Sequence, residues 1–185
     1  TLIGISSREN FRRLKKMFGF QEASDDLFEE KNQIYRQILS RMLSSQGSQM
    51  ANPGIIPFLK ALRQSGVRIA LASSSPVIDI DLVLDGLQIR DFFEVVTSGQ
   101  EVAVGKPNPQ IFLLTSQRMG GSPDRLCVVE DSEPGVVAAN RAGMKVIAVP
   151  NEYTIGSDFS LADICLDSTS NLRLNLLDSL FGCCT

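Results

Sequence analysis

The stretch that most constrains the fold is Leu126-Cys127-Val128-Val129-Glu130-Asp131-Ser132-Glu133-Pro134-Gly135, which runs on into Val136-Val137-Ala138-Ala139. Four apolar residues end in two adjacent carboxylates, then a short turn, then the opening of a helix. An apolar run this short suits a strand buried on both faces, as in a parallel sheet. Unpaired charges are too costly inside such a strand. They belong where it runs out, in the crevice at the carboxyl ends of the strands. Two acids side by side there repel each other unless a cation sits between them, and hard oxygen donors point to Mg²⁺. The plainer reading of Glu130 and Asp131 is a solvated loop or a helix N-cap. On these residues alone both readings stand.

The surrounding sequence decides the sheet type. From Asn52 onward, helical and strand patterns alternate with short loops between them. Apolar runs at 67–72, 93–97, 126–130 and 145–149 predict four strands, and Ile164 to Leu166 is a short fifth apolar run. Pro53 to about Ser65, Val77 to Leu84, about Gln110 to Met119, about 134–142 and Leu172 to Leu180 predict helices, with Gly66, Gly86, Gly120 and Gly143 as stops. This alternation predicts an α/β domain, a doubly wound parallel sheet with helices on both faces. Residues 1–50 read differently. Ser6 and Glu9 form a capping box before Phe11, Leu14 and Phe18 at helical spacing. A second helix from Ser24 carries one apolar stripe of Leu27, Phe28, Ile34, Tyr35, Ile38, Leu39, Met42 and Leu43. The polar run Ser44 to Asn52 is expected to be a hinge linker. The expected division is therefore a helical unit, residues 1–50, and an α/β core, residues 51–185.

Composition removes several classes. The 185 residues carry a net charge of −3, which gives no reason to expect nucleic acid or an anionic membrane as partner. No apolar run is long enough to span a bilayer. The four cysteines form neither a disulfide framework nor a C-x-x-C spacing, which fits a reducing, cytoplasmic compartment. Histidine is absent, so Ser-His-Asp and Cys-His catalysis and His-ligated zinc are excluded.

Two further strand ends carry polar residues. Ser73-Ser74-Ser75 follows the strand at 67–72 and leads into a helix. Its hydroxyls and the helix N–H groups suit a phosphate, although a plain serine N-cap is the simpler reading. Lys106 lies in Gly105-Lys106-Pro107-Asn108-Pro109, where prolines restrict the backbone and an ammonium can be held toward a phosphate. A solvent-facing loop lysine is the simpler reading there. The order of the three signals along successive strand ends is more specific than any one of them.

Together, ALASSSP at 70–76, GKPNPQIF at 105–112 and VVEDSEPGVVAANRAGM at 128–144 resemble the haloacid dehalogenase superfamily of phosphohydrolases. The likeness is to the branch with an inserted helical cap, which includes β-phosphoglucomutase and sugar-phosphate phosphatases. The resemblance implies that Ser73 and Ser74 hold the transferred phosphate, that Lys106 neutralises it, and that Glu130 and Asp131 position Mg²⁺. It makes Ser75, and Arg8 and Lys31 of the cap, candidates for substrate contact. It implies a monomeric enzyme acting on a small phosphorylated metabolite, a sugar phosphate in the nearest branch.

One departure matters. The family's nucleophile and acid/base sit in a D-x-D-G motif at the end of a central first strand, and this sequence has none. Asp79-Ile80-Asp81 has the spacing but falls in a predicted helix. The expectation is a chain that begins partway through the cap and lacks about 40 residues, including the central strand between 67–72 and 126–130. Without that strand the two flanking strands should either expose their edges or pair directly and squeeze the crevice. Two other readings remain: a non-catalytic phosphate-binding or regulatory protein on the same fold, and a receiver-like module. The lack of G-x-x-x-x-G-K-[ST] and G-x-G-x-x-G argues against a nucleotide-binding form of the latter.

Overall fold

A computed structural model describes residues 14–19 and 24–182, with residues 24–27 described by their backbone. The capping box at Ser6 and Glu9, Arg8, and Cys183-Cys184 lie outside the described residues.

Strand β4 (Lys145–Ala148) is the most enclosed element. It pairs in parallel with β3 (Cys127–Glu130) on one side and with β5 (Ile164–Cys165) on the other. Strand β1 (Ala70–Ser73) pairs in parallel with β2 (Val95–Ser98), Ala70 opposite Val95 and Ser73 opposite Ser98. The sheet is therefore in two parts, β1-β2 and β3-β4-β5. Among the described residues, β1 and β3 each pair on one side only, and they do not pair with each other. Direct closure of the gap does not occur.

The helices are α1 (Ser24–Gln46), α2 (Ile55–Gln64), α3 (Val77–Gly86), α4 (Gln110–Met119), α5 (Glu133–Arg141) and α6 (Asn175–Phe181). They cover both faces of the divided sheet. On one face Ile111 and Phe112 of α4 meet Val136, Ala138 and Ala139 of α5 over Val146 and Ala148 of β4. On the other, Phe58 and Leu62 of α2 pack with Ile147, Val149 and Leu172, joined by residues of α6. Apolar contact of this kind, at roughly 25 cal/mol per Å² of buried apolar area, joins the two parts of the sheet where strand pairing does not.

Several expectations are corrected. Strand β1 begins at Ala70 rather than Val67, because Val67–Ile69 have no ladder partner beyond the Glu94 N–H bonded to Ile69 O. The polar run 44–52 is helical for most of its length: α1 continues to Gln46 and a 3₁₀ turn runs to Met50. Ser44 and Ser45 sit within the helix with their hydroxyls donated back to the Ser40 and Met42 carbonyls. The apolar stripe of α1 splits. Phe28 and Leu43 are buried, whereas Ile34, Tyr35, Ile38 and Met42 are exposed. Helix α3 ends at Gly86, its last residue, in helical rather than left-handed backbone, and a Cβ there would come within 2.7 Å of the Leu43 side chain of α1. The left-handed turn after the helix falls to Gln88, with φ of 56°.

Candidate functional site

The carboxyl ends of β1, β3 and β4 open into one cavity of about 640 Å³. Ser73, Ser74, Ser75, Lys106, Glu130 and Asp131 all line it, with Asn151 and Asp167 contributing from the loops after β4 and β5. The cavity lies between the open edges of β1 and β3, since Leu71, Ala72 and Val129 also line it.

The serine loop is shaped from below. Ser73 closes β1, and its Oγ accepts the Ser75 N–H at 3.2 Å. Ser98, at the end of β2, donates its hydroxyl to Ser75 O at 2.7 Å. Gln100 Oε1 accepts the Val77 N–H at 3.1 Å. The N-cap position of α3 belongs to Pro76, without a side-chain cap. The serines are therefore not an ordinary helix cap, and the Ser74 hydroxyl makes no hydrogen bond among the described residues. Gly99 lets the neighbouring turn approach, because a Cβ there would lie 2.8 Å from Ser74 O.

Lys106 is only 9% exposed. Its Nζ forms an ion pair with Glu130 Oε1 and stands 4.8 Å from the centre of the Phe112 ring. A buried ammonium persists only with such partners. The other oxygen of Glu130 accepts the N–H groups of Asp131 and Ser132 at 3.1 and 3.3 Å, and the Ser132 hydroxyl at 3.0 Å. Ser132 also caps α5, accepting the Gly135 N–H at 3.3 Å. Gly135 has to be glycine for this arrangement: a Cβ would sit 2.1 Å from the Glu130 carboxyl carbon.

Asp131 is held differently. Its Oδ2 accepts one side-chain donor, Asn151 Nδ2, at 2.9 Å. Burial, and then the neighbouring Glu130 charge, push its pKa above the ordinary aspartate value, against the pull of Asn151 and Lys106. Asp131 thus carries negative charge that its protein neighbours do not fully offset. Mg²⁺ is commonly held by one or two carboxylates together with phosphate oxygens and water. The donors here fit that pattern in kind: Asp131 is the group able to hold the ion, with Glu130 beside it already engaged on both oxygens. Among the described residues, no cluster of three or more His, Cys, Asp and Glu side chains converges.

Other candidates lie elsewhere. Lys31 is exposed on α1, with its Nζ 5.1 Å from the Phe28 ring centre, and it does not line the cavity. Asp79-Ile80-Asp81 is inside α3, as its pattern predicted. Asp79 is buried and accepts Arg36 Nε at 2.6 Å, and Asp81 accepts Arg90 Nη2 at 2.5 Å. Sequence reasoning missed Asn151, Ser132 and Gly135. The last two had a readable signal, a serine three residues before a glycine at a helix start. Asn151 had only the local Asn-x-Tyr-Thr turn pattern.

The family model for haloacid dehalogenase-like hydrolases matches residues 1–143. Among the curated relatives that match, four are 28 to 36% identical, and the chain spans 58 to 66% of their length. One is the phosphorylated carbohydrates phosphatase of Thermotoga maritima, 28% identical over 146 residues, covering 79% of this chain and 65% of the relative. Among solved structures, β-phosphoglucomutase from Clostridium difficile matches with a TM-score of 0.84 at 26% identity, covering 98% of this chain and 79% of that one. CbbY from Rhodobacter sphaeroides, in complex with phosphate, matches with a TM-score of 0.79 at 25% identity, covering 94% and 78%.

Proposed function

Since the chain belongs to the haloacid dehalogenase-like hydrolases, we propose that it carries the phosphate-binding and metal-binding part of a Mg²⁺-dependent phosphohydrolase acting on a small phosphorylated metabolite, with sugar phosphates as the substrate class. The observation that carries this reading is the convergence of Ser73, Ser74, Lys106 and Asp131 on one cavity. In it, the Ser73 and Ser74 hydroxyls donate to phosphate oxygens. Lys106, swinging from Glu130, offsets phosphate charge. Asp131 holds Mg²⁺, and the ion when bound neutralises charge on the phosphoryl oxygens. Glu130 holds Lys106 at the cavity wall until phosphate takes its place as partner. Phosphoryl transfer also needs an in-line oxygen nucleophile. Asp79 is committed to Arg36 and lies in a helix, so we assign the attacking carboxylate to a strand entering between β1 and β3. A reducing, cytoplasmic setting is part of the same proposal, in keeping with Cys127 and Cys165 as free thiols.

The engagement of Lys106 with Glu130 favours a second reading, a protein that binds a phosphorylated ligand without turning it over. Both readings require Mg²⁺-dependent phosphate binding by the 185-residue chain. Calorimetry with inorganic phosphate should detect that binding, and Lys106→Met should abolish it while Ser160→Ala leaves it unchanged. Absence of binding, or binding indifferent to Lys106→Met, rejects both. Steady hydrolysis of p-nitrophenyl phosphate by this chain, lost in Asp131→Asn, would reject the need for an entering strand.

A further inference from the structure

Asn151 is opposite Asp131 on the turn that leaves β4, and every polar group it has is committed. Its N–H donates to Thr154 Oγ1 at 2.9 Å, and its carbonyl accepts the N–H groups of Thr154 and Ile155, each at 3.0 Å. Its side-chain Oδ1 accepts the Tyr153 N–H at 2.9 Å. Only Nδ2 is left, and it donates to Asp131 Oδ2 at 2.9 Å. The usual ambiguity of an amide is absent here. A backbone donor occupies Oδ1, so the amide cannot turn its oxygen toward the carboxylate. Thr154, the anchor of the turn, is 2% exposed, so the turn is pinned to the protein at that residue while Tyr153 and Ile155 beside it face solvent.

We propose that Asn151 is a positioning residue for the metal: it fixes the rotation of the Asp131 carboxylate through one oxygen, and so sets how Asp131 meets Mg²⁺. The proposal rests on the reading of Asp131 as the residue that holds the ion. Partners of this kind, one step removed from the metal, change its affinity about 10–100-fold when removed. In the sequence Asn151 carries a local turn pattern but no role at the site. Its role comes from the way β4 lies beside β3, with Glu130 opposite Ala148, so that the turn after β4 folds back to bring Asn151 onto the carboxylate after β3.

The test uses the full 185-residue chain and Mn²⁺ alone as the probe, with bound ion read by electron paramagnetic resonance. Asn151→Ser keeps an oxygen able to accept the Tyr153 N–H, adds no charge, and is too short to reach Asp131. The expected result is Mn²⁺ affinity about tenfold or more weaker in Asn151→Ser, at an unchanged thermal midpoint, and no specific binding in Asp131→Asn. A second measurement needs no variant at Asn151. In the unmodified chain its side-chain amide resonances should shift on Mg²⁺ titration, with the same midpoint as the ion's binding. Equal Mn²⁺ affinity in Asn151→Ser and the unmodified chain, or an amide that ignores Mg²⁺ while the ion binds, overturns the role of Asn151. Failure of the unmodified chain to bind Mn²⁺, or binding untouched by Asp131→Asn, overturns the metal reading itself and this inference with it.

Discussion

Strands β3 and β4 lie side by side, have similar apolar sequences, and differ sharply in burial. Val146, Ile147 and Ala148 of β4 are fully buried, whereas Val129 of β3 is 41% exposed and β1 is only half-buried along its length. The difference is pairing. β4 has a strand on each side, while β1 and β3 each have one. Apolar character alone did not enclose Val129; a second neighbour would have. The candidate site thus hangs on the less enclosed part of the sheet, and the fully enclosed β4 supports it from behind. Unpaired strand edges are also templates for other strands, which is why the slot is where we assign the entering nucleophile strand.

The comparison can be broken first at the bond that spans the slot. Lys106 follows β2, Glu130 ends β3, and their ion pair ties the two parts together. Lys106→Met leaves Glu130 charged, buried and without its cation, at an expected cost of about 3–5 kcal/mol. Adding Glu130→Gln should recover most of that loss in denaturant unfolding. A cost no larger for the single change than for the double would mean that the pair does not tie the parts.

The contrast in burial can be sharpened by paired truncations. Ile147→Ala should cost about 2–5 kcal/mol, as for other enclosed core residues. Val129→Ala should stay within about 1 kcal/mol, because solvent already reaches that side chain. Similar losses at both positions would remove the distinction between enclosed and open strands.

The smallest effects concern two aspartates of opposite behaviour. Burial works against ionisation of Asp163, yet Lys145 Nζ at 2.7 Å and the Val146 N–H at 2.8 Å hold its pKa below the ordinary value. Its contribution to stability is therefore present above the ordinary aspartate range and lost as pH falls through its depressed value. Asp131 is shifted upward, so its ionisation opposes folding, and that penalty disappears on acidification. Asp163→Asn should lower the thermal midpoint at pH 7 and have little effect at strongly acidic pH. Asp131→Asn should raise the midpoint at pH 7, with the gain fading below the ordinary aspartate range. Shifts of the same sign at pH 7 would refute this pairing.

Much of this was legible in the sequence because it is local. The run from Leu126 to Ala139 encodes strand, charged end, cap and helix within fourteen consecutive positions, and the structure follows it. The serine loop was found because it directly follows a strand, and Lys106 because its Gly-Lys-Pro-Asn-Pro loop leads into a helix. What was not legible depends on neighbours distant in sequence. Gly86 does end its helix, but the close approach of Leu43 from another helix, which needs a glycine there, could not be read from the local pattern. The stripe on α1 looked uniform because periodicity marks apolar residues, not which of them meet a partner. Asn151 stayed hidden because its bond to Asp131 arises from the parallel pairing of β3 with β4.

The close approach at Gly86 has a mechanical consequence. Two of the contacts between helix α1 and α3 are the Arg36–Asp79 bond and the approach of Leu43 to Gly86. These lie seven residues apart along α1, a lever of about 10 Å. Two anchors that far apart resist both sliding and tilting of α1 on α3, which one contact alone could not do. Helix α3 in turn begins directly after Ser75-Pro76, so the same helix that seats α1 also opens at the serine loop. A side chain on Gly86 would force the two helices apart at one anchor and leave the Arg36–Asp79 bond to hold the other.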